Sequence, residues 1–92
     1  MKPTKTLYEL VVWCKKTNPP QIELYKALRR IPRIKAKVEE ALISLVFSEE
    51  AYKKRLTDKE YRAQWDEEKD ILICMYDCVT RREYYENIIR DF

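Results

Sequence analysis

Ninety-two residues with neither glycine nor histidine make a single small domain, 1–92. The missing glycine excludes backbone phosphate cradles, and the missing histidine removes the commonest general base and zinc ligand. With 46% apolar and 38% charged residues, the chain has the balance of a folded helical domain and not of a disordered one. The net charge of +3 is uneven: residues 1–46 hold ten Lys/Arg against four Glu, and residues 47–92 nine against twelve Asp/Glu. A polarity of this kind suits head-to-tail association or an anion at the basic end.

The apolar spacing is helical almost everywhere. "TLYE" at 6–9 is a capping box, with the Thr6 hydroxyl accepting from the third helical amide and Glu9 reaching back. It opens a first helix over 7–16, with Leu7, Leu10, Val11 and Cys14 on one face and Lys15 and Lys16 at the negative end. "NPP" at 18–20 stops it, and Asn18 is the expected cap of a second helix over 20–30, striped by Leu24, Tyr25, Leu28 and Ile31. Pro32 interrupts the pattern and is expected in the first turn of a third helix. There Ile34, Val38, Ala41, Leu42, Leu45 and Val46 form the stripe, with Ile43 and Phe47 opposite. Glu49 and Glu50 stand four residues before Lys53 and Lys54, which predicts that helix continues toward Leu56.

"TDKE" at 57–60 is a second capping box, before a helix carrying Tyr61, Trp65, Leu72, Met75, Tyr76 and Val79, widened by Ile71, Cys74 and Cys78. "TRRE" at 80–83 is a third. One unbroken helix over 58–91 would be about 50 Å long, against a radius of gyration of about 12 Å for a compact domain of this size. Either the chain breaks near Thr80 or a second copy covers the excess length. The expected fold is all-α: a compact bundle of four or five helices around "ALISLVF" (41–47) and "ILICMY" (71–76), self-associating because two helices are apolar on more than one face.

Two groups of residues are candidate contacts. Lys26, Arg29, Arg30, Arg33, Lys35 and Lys37 lie in a stretch free of acids, 25–37. They could meet an acidic protein partner or nucleic-acid phosphates, with Tyr25 stacking on a base. The competing reading is the solvated faces of two helices meeting at Pro32, and the glycine-bearing turn common in helix-turn-helix units is missing. The second group is a candidate interface: Ile43 and Phe47, with Tyr84, Tyr85, Ile88 and Phe92 from "EYYENIIRDF".

Glu67 and Asp70 could share a magnesium ion, but acids near a helix start usually form a solvated face. Cys14, Cys74 and Cys78 contain no CxxC pair, have no histidine to activate them, and read as buried free thiols. No catalytic residue, metal or cofactor is expected. The apolar runs fall well short of the ~18 residues of a membrane span, and no leader is apparent, so a soluble cytoplasmic protein without a membrane partner is expected. The composite expectation is a non-enzymatic protein–protein interaction module, a small regulator, inhibitor or adaptor that also forms a homo-oligomer. Nucleic-acid binding through 26–37 is the alternative.

Overall fold

Among the described residues one long helix carries five shorter ones. The computed structural model describes the backbone of residues 6–91 and the side chains of residues 6–90. It consists of α1 (Leu7–Thr17), α2 (Gln21–Leu28), α3 (Ile34–Val46), α4 (Glu49–Thr57), α5 (Lys59–Thr80) and α6 (Arg82–Asp91), with no strand among the described residues. At 22 residues, α5 is about 33 Å long, and every other helix packs against it. The protein is therefore all-helical, as the periodicity requires.

Among the described residues six helices replace the expected four or five, because α3 does not run on to Leu56. It stops at Phe47, and Ser48 adopts an extended backbone and caps α4, its Oγ accepting from the Ala51 amide at 3.2 Å. Glu49 and Glu50 then occupy the first turn of α4, where the helix dipole favours acids. The ion pairs expected from Glu49 to Lys53 and from Glu50 to Lys54 do not close among the described residues.

The caps differ from expectation in detail. Thr6 accepts from the Glu9 amide at 3.2 Å, as "TLYE" requires. Asn18, however, closes α1 instead of opening α2: it sits in the left-handed region at φ 45°, and its amide donates to the Cys14 carbonyl. Asparagine tolerates that conformation, and the following proline disfavours a helical one. Thr57 is the last residue of α4, and Asp58 caps α5 by accepting from the Glu60 and Tyr61 amides. The Thr80 hydroxyl turns back to the Asp77 carbonyl at 3.0 Å, and Arg81 makes the break before α6. Pro32 lies in the loop, so α3 starts only at Ile34, behind Arg33 at φ 55°.

The core gathers one stripe from each of α1, α2, α3, α5 and α6. Leu28, Val38, Met75 and Cys78 are 0% exposed, and Leu10, Leu24, Tyr25, Leu72 and Tyr85 are buried around them. A second joint forms where α3, α4 and α5 meet. There the buried Trp65 donates its indole N–H to the Leu45 carbonyl at 3.2 Å, and the Arg55 guanidinium lies 4.5 Å from the ring centroid. This joint extends the molecule beyond a sphere, to 48 × 25 × 23 Å with a radius of gyration of 14.4 Å. Among the described residues no helix is long and apolar enough to cross a membrane.

Two truncations separate the core from the α4 surface. Met75→Ala leaves a cavity at a fully buried site and is expected to cost about 2–5 kcal/mol. Leu56→Ala, at a residue 67% exposed within the single chain, is expected to stay within about 0.5 kcal/mol at concentrations too low for a second copy to cover it. Urea unfolding of the two variants beside the parent checks both.

Candidate binding surfaces

The basic corner is only partly neutralised. Lys26 pairs with Glu23 at 3.6 Å and Arg29 with Glu86 at 3.5 Å, whereas Arg30, Arg33, Lys35 and Lys37 have no ion pair among the described residues. Arg29, Arg33 and Lys35 join Arg82, from the start of α6, around a cleft of about 520 Å³. Its apolar lining is Ile31, Pro32, Ile34 and Val79, and its one carboxylate among the described residues is Glu86.

Glu86 is already engaged. One of its oxygens accepts from the Tyr25 hydroxyl at 2.6 Å and the other faces Arg29. The Tyr25 ring is 2% exposed and stacks on Tyr85, with centroids 5.1 Å apart and planes 19° apart. The Tyr85 hydroxyl donates in turn to the Gln21 side-chain oxygen at 2.9 Å. Burial, reinforced by the bond to Glu86, pushes the Tyr25 phenol up to about 12, so it remains a donor at neutral pH. A ring held in this way cannot stack on a base, which corrects the expectation for Tyr25.

The apolar candidates divide. Ile43 is 56% and Phe47 78% exposed, and Val46, Tyr52 and Leu56 extend the same α3–α4 region into water. No residue of α4 is buried. Val46, Phe47, Glu49, Tyr52 and Lys53 line one shallow depression. At the other candidate edge Tyr84 is exposed, Tyr85 belongs to the core and Ile88 is half-buried against it; Phe92 lies outside the described residues. Tyr52 and Leu56 are absent from the expected interface because the Glu–Lys spacing at 49–54 prolongs α3 through them. The signal was Ser48 followed by two glutamates.

Glu67 and Asp70 are both exposed on α5, and no three acidic, thiol or imidazole side chains among the described residues converge on a metal position. Cys14 and Cys78 are buried free thiols, but Cys74 is exposed, against expectation. Burial pushes the Cys78 thiol from 9.0 up to about 11, and Cys14 is raised as well.

Compared with protein-family models, curated proteins and solved structures, the chain matches none.

The raised thiol has a measurable consequence. Between 9.0 and about 11 the unfolded chain has released the Cys78 proton while the folded chain still holds it. The unfolded state then binds fewer protons, so stability falls as pH rises through this window, by about 3 kcal/mol when complete. Below pH 9 the contribution is fully present. Urea unfolding from pH 8 to 11 is expected to show this decline, with a shallower one for Cys78→Ala.

Proposed function

We propose that the chain is a non-enzymatic protein-interaction module, of the regulator, inhibitor or adaptor kind, which docks through the α3–α4 face. The observation that supports this most is α4: a capped helix that buries none of its own residues, with Tyr52 in one depression with Phe47 and Leu56 exposed further along it. Contiguous apolar surface of this sort marks an interaction site.

The first occupant of the face is a second copy of the chain. Acids occupy the first turn of α4 and bases the last, so two such helices laid antiparallel are complementary to themselves. Centred near Ala51, the pairing sets Glu49 of each copy beside Lys53 of the other, and Leu56 of each toward the α3–α4 junction of the other. Glu49 and Lys53 are both exposed on this face and have no ion pair among the described residues. The apolar contacts supply the affinity, and the charge pairs fix the direction.

Light scattering at micromolar concentration is expected to give twice the chain mass of 11.3 kDa. Phe47→Asp is expected to give a monomer, because an unpartnered carboxylate in an apolar contact costs several kcal/mol. Glu49→Lys and Lys53→Glu should each weaken the dimer, and the double reversal should restore it. A parent that stays at 11.3 kDa overturns the second copy as occupant.

Nucleic-acid binding is the second reading, supported by Arg30, Arg33, Lys35 and Lys37, which have no ion pair among the described residues, and weakened by the burial of Tyr25. Duplex and single-stranded probes are expected to bind no tighter than about 10 μM at physiological salt. Tighter binding abolished by Arg29→Glu, Arg30→Glu and Arg33→Glu together would favour this reading over the protein one.

A further inference from the structure

We propose that the cleft between the 29–35 corner and the start of α6 binds a small oligophosphate: two or three linked phosphates, free or carried on an organic body. This is a ligand site separate from the α3–α4 face and does not depend on it.

Charge argues for the class of ligand. Among the described residues, Arg29, Arg33, Lys35 and Arg82 line the cleft with Glu86 as the only acid, an excess of three positive charges. A single phosphate monoester brings about −1.5 to −2 and leaves the site under-neutralised, whereas two linked phosphates come close to matching it and three exceed it, so neither leaves a cation unmet. Arg33, Lys35 and Arg82 pair with no acid among the described residues. Nor can Glu86 turn to serve them, since the Tyr25 hydroxyl holds it at 2.6 Å and Arg29 faces its second oxygen at 3.5 Å. Three cations are thereby brought together with no acidic partner among the described residues, an arrangement that an anion would relieve.

The geometry suits the same ligand. At about 520 Å³, the cleft falls within the ~300–1,000 Å³ range of small-molecule sites. Its apolar lining of Ile31, Ile34 and Val79 lowers the local dielectric and strengthens each phosphate contact. Arginine guanidinium groups offer the planar, two-pronged donor that phosphate oxygens accept. In a chain without glycine, charged side chains must do what a backbone cradle does elsewhere. Arg33 also keeps a left-handed backbone at φ 55°, a conformation that costs a non-glycine residue and that gathers at ligand clamps.

The test is calorimetric titration of the full chain at physiological salt with tripolyphosphate, orthophosphate, metal-free ATP and a short single-stranded oligonucleotide. Tripolyphosphate is expected to bind at least about tenfold tighter than orthophosphate, and Lys35→Glu and Arg82→Glu should each cost about tenfold or more, the scale of one lost charge-assisted contact. Lys35→Glu places an acid in the first turn of α3, where the helix dipole favours it, so its melting temperature should rise while binding is lost. That combination separates a lost ligand contact from a damaged fold. Phe47→Asp is expected to leave the titration unchanged. ATP equal to tripolyphosphate would assign recognition to the phosphates alone, and ATP tighter would add its organic body, both within the proposal. Tripolyphosphate no tighter than orthophosphate, binding indifferent to Lys35→Glu and Arg82→Glu, or binding of the oligonucleotide alone would overturn it.

Discussion

The burial of Leu72, Met75 and Cys78 along one side of α5 is the contact on which the rest of the structure depends. A helix of this length cannot hide its stripe by itself, and no single neighbour is long enough to cover it. The chain solves this with short helices laid against it in turn, meeting where Leu28, Val38, Met75 and Cys78 lose all contact with water. Small domains are marginal because so little of their surface can be buried. This one concentrates its burial in the half of α5 that faces α1, α2 and the start of α3. The other half is held by Trp65, whose ring receives Arg55 and Lys69 and whose indole N–H reaches the Leu45 carbonyl.

That uneven investment accounts for both candidate surfaces. At one end of α3 the core is complete, so the loop before it can carry unpaired cations without exposing apolar side chains. At the other end α4 has only the Trp65 joint and one edge of α5 to lean on, and its tyrosine and leucine face water. The ends of a 13-residue helix lie about 20 Å apart, so an anion at the first need not disturb a partner at the second. The Tyr25–Glu86 bond and the Tyr25–Tyr85 stack tie α2 to α6, which fixes Arg29 and Arg82 as walls of one cleft.

Helical periodicity is a local property, and α1, α2 and the stripes of α3 and α5 were legible in it. The break between α3 and α4 was not, because glutamate and lysine at i+4 look the same whether they prolong one helix or open the next. Only Ser48, the residue that accepts from the Ala51 amide, distinguished the two. The caps failed for a related reason: Thr57 and Asp58 are adjacent, and either can accept from the next turn, so tertiary position decided in favour of Asp58. Tyr84 and Tyr85 are also adjacent, but one is exposed and the other stacks on Tyr25. Their sequence did not say which. The basic run was plain in the sequence, yet the cleft was not, because Arg82 and Glu86 reach it from more than forty positions away.

The central claim is that the exposed α3–α4 face, and not the aromatic C-terminal edge, is where this protein meets a protein partner, beginning with its own second copy. Amide chemical shifts followed by NMR over a dilution series test it most directly, since they locate the contact as well as detect it. The account predicts concentration-dependent shifts confined to residues 43–56, with α1 and α6 unchanged. Shifts centred on Tyr84 and Ile88, or none at any concentration, would contradict it.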